Sequence, residues 1–311
     1  KYKILIESKF EKNKGFIQSD FIKKGKRKDA FIFIGHLDHP NQINDGLAGV
    51  IAAYETIRRI KKLKTEFTYI AFASIEIIGS VYYLHKFKDL AKNLKEGLFN
   101  GFSGIKSNIV YQKSFFGNSL IDKIMANIFL DKKYKLFFNH RQLAGNDENI
   151  FDSVGYNIST GTLMRWPFKE YHTDDDNIEI TYKEKIEEMV LINLKVINLI
   201  EKNKKYKALY KGVPCLSSNS YNLYLNPSKM SSMRNKVKSD IIQRLCKNLT
   251  TSEIRYINKN MKLMYGLMNN SLRMATGEYT VLDVANKSKL PFNFVYNYIQ
   301  ELKNKKLVRF I

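Results

Sequence analysis

The chain has 311 residues, of which 44% are hydrophobic and 13% aromatic, so it can bury a large core and is expected to hold two domains. No apolar run approaches the length that spans a bilayer and no secretion signal opens the sequence, which excludes an integral membrane protein and predicts a cytoplasmic location. The net charge of +22 makes nucleic acid a partner to consider, and Cys215 and Cys246 fit no CxxC pattern, which favours reduced thiols.

The chain opens in the middle of a pattern. It starts at Lys1 rather than at Met, and residues 2–6 already predict a strand. We therefore expect that the natural N-terminus precedes this sequence.

Potential metal ligands occur where a predicted strand ends and a predicted helix begins. Residues 30–34 are apolar without a helical period, which predicts a buried strand ending at the next glycine. From Leu47 the apolar residues recur every three or four positions, which predicts a helix. His36 and Asp45 would then face the crevice beyond the carboxyl end of the strand. In the alternative, Asp45 only caps the helix, and His36 and His39 are ordinary loop residues.

Two later segments place further polar side chains at element boundaries. Residues 66–74 predict a strand that is followed by Glu76, a carboxylate that is costly to bury in apolar company unless it has a partner or a proton to carry. Residues 170–177 place His172 beside three aspartates, just before an amphipathic helix predicted at about residues 182–205. Sites of this kind can converge in one crevice.

The last hundred residues carry half of the excess positive charge. Residues 212–311 contain 16 Lys and Arg against 5 Asp and Glu. A turn-rich connector at residues 211–221 leads to helices predicted at 241–268. Residues 279–309 then fit the order helix, turn, helix, strand that is typical of a winged helix.

Two observations weaken a DNA-binding role for this region. The second predicted helix, residues 291–302, carries no Lys or Arg. Its predicted surface shows Asn293, Asn297 and Gln300, which could contact bases but would release no counterions. Lys, Asn and Ile are abundant along the whole chain, as expected from a genome rich in A and T. We favour a packing or dimerisation module, with DNA binding through residues 279–309 as the alternative.

The motifs, taken in order, resemble a known superfamily. They are HxD from His36, DxxxG from Asp45, ExxGS from Glu76 and YHTxxD from Tyr171. This ordered set is similar to the zinc aminopeptidases of metallopeptidase clan MH. The longer segments HPxxxNDxxxG, FGNSL, GNDEN, GTLMR and YHTxxDN resemble one bacterial aminopeptidase-like branch, which has an inserted small β domain and a C-terminal winged helix.

The resemblance implies an α/β fold, in which a twisted mixed β-sheet is sandwiched by helices and a small winged-helix-like domain follows. Residues 1–26 would be the tail of the inserted β domain and its return connection. Residues 27–211 would form the aminopeptidase-like domain, and residues 212–311 the linker and the winged-helix-like domain.

The resemblance also implies a role for each site residue. His36 matches a ligand of one zinc, Asp45 the carboxylate that bridges two zincs, and His172 a ligand of the other. Asp38 matches the acid that orients the first histidine. Glu76 matches the general base that takes a proton from the attacking water.

Two expected zinc ligands are absent from the sequence. Ile77 stands where the superfamily has a ligating Glu, and residues 97–106 contain no acid where a ligating Asp is expected. Asp176 is a candidate additional ligand. Because a catalytic zinc normally keeps three protein ligands, we expect one zinc ion rather than two.

The remaining ligand set could be completed in two ways. Glu76 could join Asp45 and His172 on the metal, as in the single-zinc glutaminyl cyclases of the same clan, and would then no longer be the base. Asp147 or Glu148 could in that case act as the base or supply a ligand. The same two residues fit a helix start equally well.

Two functions are compatible with these residues. The first is a zinc-dependent, aminopeptidase-like hydrolase of a small peptide or amide, for which the resemblance suggests a place in surface-sugar metabolism. The second is a degenerate scaffold that binds a ligand or partner. Five retained polar side chains at one crevice favour the hydrolase, whereas Ile77 and the missing acid favour the scaffold. We expect the hydrolase, and a homo-oligomer is compatible with both functions.

Overall fold

A seven-stranded mixed sheet organises the main part of the chain. The structure, a computed structural model, describes residues 3–9, 11–12, 14–130, 137–226 and 240–311. The strands are β1 (Ser19–Lys23), β2 (Ala30–His36), β3 (Thr68–Ser74), β4 (Leu94–Gly101), β5 (Asn108–Gln112), β6 (Phe137–Phe138) and β7 (Ser159–Trp166).

The four central strands of the sheet are parallel. The order across the sheet is β1-β3-β2-β4-β7-β5-β6, and β3, β2, β4 and β7 run in the same direction. Strand β1 is antiparallel to β3, and β5 is antiparallel to β7. The carboxyl ends of the central strands therefore meet at one edge, where open α/β sheets bind their ligands.

Helices cover both faces of this sheet, as the sequence predicted. Phe31 and Phe33 of β2 pack on one face, and Ile32 and Ile34 pack on the other, so the strand is apolar throughout. The first face is covered by α1 (Ala48–Ile60), α4 (Leu120–Ile128) and α6 (Lys183–Lys202), and the second by α2 (Ile78–Lys86), α3 (Lys88–Asn93) and α5 (Glu148–Phe151).

The predicted strands and helices around the motifs are confirmed, with small shifts at their ends. Strand β2 does not stop at Gly35 but continues to His36, because His36 still pairs with Ser74 of β3. Helix α1 begins at Ala48, one residue later than predicted. Helix α6 ends at Lys202, a few residues before the predicted end.

The C-terminal part has the predicted order of elements. The elements are β8 (Lys205–Ala208), α7 (Asp240–Leu245), α8 (Thr251–Lys259), α9 (Leu263–Arg273), β9 (Thr276–Thr280), α10 (Val281–Ser288), α11 (Phe292–Asn304) and β10 (Val308–Phe310). The three strands form an antiparallel sheet in the order β10-β8-β9, and it packs with helices whose apolar side chains continue the core of the main sheet. Residues 209–226 are irregular and include the connector predicted at residues 211–221.

The prediction of a strand at residues 2–6 is wrong for the residues of this segment that the structure describes, 3–6. Residues 3–9 form neither helix nor strand, and Tyr2 lies outside the described residues. The exposed apolar side chains Ile4, Leu5 and Ile6 have no neighbouring strand to pair with among the described residues, so their β-propensity alone does not make a strand.

Two further observations complete the fold. Within the described residues, no helix is long and apolar enough to cross a membrane. Neither Cys215 nor Cys246 forms a disulfide bond with a described residue, in agreement with the sequence.

Candidate metal centre

Four segments meet at the carboxyl edge of the sheet. His36 is the last residue of β2, and Glu76 follows the end of β3. Asp45 lies in a short irregular turn ahead of α1, and His172 lies in the loop after β7. The sequence predicted that these four side chains would converge, and the structure brings them together.

The turn that carries Asp45 depends on the glycine after it. Gly46 has a φ of +129°, a conformation that side chains disfavour, and a Cβ there would lie 2.8 Å from the carbonyl oxygen of His36. The turn is fixed from the other side by Asp176, whose carboxylate accepts the amide protons of Asn44 and Asp45 at 2.9 and 2.8 Å. Asp176, a candidate ligand by sequence, is fully buried and uses both oxygens to hold this turn.

Three imidazoles surround the carboxylate of Asp45. Its Oδ1 lies 3.1 Å from Nε2 of His36, and its Oδ2 lies 3.2 Å from Nε2 of His172 and 3.6 Å from Nε2 of His39. The carboxylate is only 2% exposed, yet Oδ2 has no hydrogen-bond partner of good geometry among the described residues. A buried carboxylate oxygen without such a partner is costly, and this cost marks the place for a cation.

His39 is the residue that sequence reasoning did not place in the site. One ligand atom each of His39, Asp45 and His172 lies within 4.8 Å of the others, and the same is true of His36, Asp38, His39 and Glu76. The signal in the sequence was the HP pair at residues 39–40, which we matched to the bacterial branch without giving its histidine a role. His39 belongs to both groups and connects them.

Asp38 contacts the ring of His36, the histidine that the resemblance expects it to orient. Its Oδ1 lies 2.7 Å from Nδ1 of His36, while Asp45 engages the opposite ring nitrogen. Burial alone would lower the pKa of His36, but the two carboxylates outweigh it and raise the pKa to about 10. Burial likewise favours the neutral acid of Asp38, yet the hydrogen bonds from His36 and from the amide of Glu76 lower its pKa.

Glu76 lies beside His39 at the rim of the crevice. Its Oε2 is 3.9 Å from Nε2 of His39, and its side chain is 28% exposed. Burial raises the pKa of Glu76, and the nearby carboxylates of Asp38 and Asp45 add to this effect. A carboxylate with a raised pKa is a stronger base.

Asp147 and Glu148 begin helix α5, as the alternative interpretation predicted, and neither belongs to the metal-binding groups found among the described residues. Asp147 accepts hydrogen bonds from the amide of Ile77 and from the hydroxyl of Ser80, at 2.9 and 2.6 Å. Glu148 accepts the amide proton of Asn146 at 2.9 Å. Burial raises the pKa of Asp147 to about 6 and that of Glu148 to about 7.

The segment that lacks the expected acid offers no replacement. Glu96, the acid that precedes it, accepts the amide protons of Leu120 and Ile121 at the start of α4. It therefore caps a helix and does not face the cluster. Ile77 carries no ligand atom, as the sequence showed.

The donor set fits one zinc ion. Zinc binds imidazole nitrogen and carboxylate oxygen at about 2.0–2.2 Å in a tetrahedron, so two of its ligand atoms lie roughly 3.3–3.6 Å apart. The separations of Asp45 Oδ2 from His172 and His39 are 3.2 and 3.6 Å. His39, Asp45 and His172 could therefore hold a zinc with little movement.

A mixed sheet with helices on both its faces is the fold that this chain shares with a solved aminopeptidase. The chain belongs to the family described as Domain of unknown function (DUF4910), whose model matches residues 11–203. It is 30% identical over 210 residues to the "Putative polysaccharide biosynthesis protein with aminopeptidase-like domain" of Clostridium acetobutylicum, which covers 66% of this chain and 48% of that protein. The chain thus spans about half the length of this relative.

Solved structures agree with this classification. The crystal structure of a "putative peptidase" from Clostridium acetobutylicum superimposes with a TM-score of 0.71 at 26% identity, covering 94% of this chain and 60% of that one. An aminopeptidase from Aneurinibacillus sp. strain AM-1 superimposes with a TM-score of 0.51 at 20% identity, covering 58% and 47% of the two chains, and shows the shared fold. The predicted superfamily and fold class are confirmed.

Proposed function

We propose that this protein is a zinc-dependent hydrolase of amide bonds that uses one zinc ion, held by His39, Asp45 and His172. The observation that carries this proposal is the buried Oδ2 of Asp45, which lacks a hydrogen-bond partner among the described residues and lies between two imidazole nitrogens at 3.2 and 3.6 Å. In this arrangement His39 compensates for the ligand that Ile77 cannot supply.

The other residues divide the remaining tasks. A zinc ion at this place supplies a Lewis acid that polarises a carbonyl and makes water more acidic. Glu76, 3.9 Å from Nε2 of His39, takes the proton of the attacking water and returns it to the leaving amine. Asp38 fixes the ring of His36, which in turn holds Oδ1 of Asp45.

The substrate class follows from the relatives and from the charge of the crevice. The Clostridium relative combines an aminopeptidase-like domain with polysaccharide biosynthesis in its name. Glu76, which is 28% exposed at the rim of the crevice, offers a carboxylate to a substrate with a free amino group. We therefore propose a small peptide, or an amide attached to a sugar precursor.

Ile77 favours a second candidate function. A protein that has lost one superfamily ligand and has no acid at residues 97–106 could bind zinc and a ligand without hydrolysing it. The scaffold and the hydrolase differ in turnover. In the scaffold the zinc would be structural and no amide would be hydrolysed.

Metal analysis tests the ligand set. Protein purified without added zinc should contain about one equivalent, and His39→Ala and His172→Ala should each lose it. His85→Ala, which removes an exposed histidine on helix α2, should keep the zinc. Two equivalents would refute the single site, and zinc retained by His39→Ala would refute the part given to His39.

Turnover separates the hydrolase from the scaffold and decides the role of Glu76. A panel of aminoacyl amides should be hydrolysed by the wild type, and a chelator should abolish this activity. Glu76→Gln should lose turnover but keep the zinc if Glu76 is the base. Loss of both would show that Glu76 is a ligand, and zinc binding without any turnover in the wild type would favour the scaffold.

A further inference from the structure

The corner that carries Glu76 has an unusual backbone. Ile77 has φ and ψ of 61° and −62°, and the amide of Ile78 donates to the carbonyl of Glu76 at 2.6 Å. These values describe a γ-turn of the rare, strained kind. For a β-branched residue such as Ile a positive φ is a true outlier, and it persists only when surrounding contacts enforce it.

Two carboxylates hold consecutive amides of this corner. Oδ2 of Asp38 accepts from the amide of Glu76 at 2.9 Å, and Oδ1 of Asp147 accepts from the amide of Ile77 at 2.9 Å. The same oxygen of Asp147 accepts from the hydroxyl of Ser80 at 2.6 Å, which ties the corner to helix α2. Hydrogen bonds to a charged acceptor are stronger than those between neutral groups, so this pair can offset the backbone strain.

Asp147 is not an ordinary helix cap. It occupies the N-cap position of α5, where an Asp commonly accepts an amide proton of its own helix. Asp147 makes no such bond to the described residues of its own helix. Its Oδ1 accepts instead from the amide of Ile77, 70 residues earlier in the chain. Its side chain is 2% exposed, so the contact with Ile77 is sheltered from water.

We propose that Asp147 is a positioning residue that keeps Ile77 in its strained turn and thereby holds the carboxylate of Glu76 beside the metal cluster. The proposal rests on the role of Glu76 as the base in the proposed function. It gives Asp147 a task that is neither metal binding nor proton transfer. It also explains the ExxGS motif, because Ser80 completes the contact and Gly79 lets the chain pass Ser74, whose Oγ would lie 2.0 Å from a Cβ at this glycine.

The first test compares Asp147 with a matched carboxylate. Asp147→Ala should lower kcat roughly 10- to 100-fold, since a small misplacement of a catalytic group has an effect of this size, while the zinc content stays unchanged. Asp147→Asn keeps an oxygen acceptor and should retain most of the activity. The control is Asp152→Ala, because Asp152 at the other end of α5 also accepts two backbone amides, those of Phe115 and Thr160, far from Glu76 in sequence.

A second variant tests the strain directly. Ile77→Gly should be close to the wild type in activity, because glycine adopts positive φ without strain. In this background Asp147→Ala should have a much smaller effect than it has alone, because the turn then needs less support. Unchanged activity loss in the double variant would overturn the proposal. Three other results would also overturn the proposal: loss of zinc from Asp147→Ala, an equal loss of kcat in Asp152→Ala, or an inactive Asp147→Asn.

A structural readout keeps the test independent of turnover. If the wild type hydrolyses no substrate, the proposed function fails, but crystal structures of Asp147→Ala and the wild type still decide the geometry. We expect Ile77 to leave the positive φ region in Asp147→Ala and the contact of 3.9 Å between Glu76 and His39 to lengthen. An unchanged turn in that variant would overturn the proposal.

Discussion

Two regions of this molecule carry polar residues that the sequence marked as functional, and their hydrogen bonding differs. In the crevice, the buried Oδ2 of Asp45 lacks a partner of good geometry among the described residues, and His172 and Ile77 both have positive φ. In helix α11, the candidate recognition helix, the polar side chains that the sequence placed on its surface make hydrogen bonds within the protein. Asn293 accepts from Asn198 of α6 at 3.0 Å, and Asn297 donates to the carbonyls of Leu245 and Lys247 at 2.9 and 3.1 Å.

This difference in hydrogen bonding suggests that the crevice is a binding site and that α11 is a packing surface. The third polar residue of α11, Gln300, donates to the hydroxyl of Tyr296 on the same helix, and no residue from Phe292 to Gln300 is exposed. We therefore expect this helix to pack within the protein rather than to enter a DNA groove. In the crevice, by contrast, the unsatisfied buried atom and the backbone strain coincide with a group of potential metal ligands, the setting in which such features are often functional.

The largest effect should come from the carboxylate at the centre of the crevice. Asp45→Ala removes the carboxylate that contacts all three imidazoles, so zinc affinity should fall at least about 1,000-fold, which corresponds to roughly 4 kcal/mol. A competition titration against a zinc chelator measures this. Asp174→Asn is the control, since Asp174 is an exposed acid close to His172 in sequence and should leave the affinity unchanged. If Asp45→Ala bound zinc with wild-type affinity, Oδ2 of Asp45 would not be a zinc ligand. The crevice would then no longer differ from α11 as a metal site.

The next effect concerns the packing of the C-terminal part. Buried Asn127 on α4 donates to Asn286 and to the carbonyl of Leu290, both at 3.0 Å, and accepts from the amide of Phe292 at 2.8 Å. Asn127→Leu leaves these groups without partners and should lower the free energy of unfolding by about 2–4 kcal/mol. Urea denaturation measures this loss. Asn304→Leu, at an exposed position of α11, should change stability by less than about 0.5 kcal/mol.

A smaller effect is expected for the residue that orients His36. Asp38→Ala removes the acceptor of Nδ1 of His36 and also the acceptor of the amide of Glu76, so zinc affinity should fall about 10-fold. The same chelator titration gives the number. If zinc affinity is unchanged while turnover is lost, Asp38 acts on Glu76 rather than on the metal. The functional part of the crevice would then be the γ-turn at Ile77 that positions Glu76.

Much of the fold could be predicted because it depends on local patterns. The apolar runs of β2 and β3 and the helical period after Leu47 are visible in single segments, and the order of motifs then implied the sheet. His36, Asp45, Glu76 and His172 followed from that order.

The remaining features depend on contacts between distant segments. Whether the ring of His39 turns towards Asp45 depends on the path of the chain between them, which the distant Asp176 fixes at Asn44 and Asp45. The contact of Asp147 with Ile77 joins residues 70 positions apart. Asn293 and Asn297 were assigned to a surface because a helical period cannot show that α6 and α7 cover both sides of the helix.

The smallest effect should come from helix α11 itself. Asn297→Ala removes two hydrogen bonds to backbone carbonyls and should lower stability by about 1 kcal/mol, measured by denaturation. The affinity of Asn297→Ala for duplex DNA at low salt should equal that of the wild type. The reason is that the carbonyls at the C-terminal end of α7 hold the Asn297 side chain away from a bound base. Any binding seen should also fall with salt equally in both proteins, since Asn neutralises no phosphate. A loss of DNA affinity larger than the loss of stability would mean that α11 leaves its packed position to bind, and the two regions would then both be functional sites.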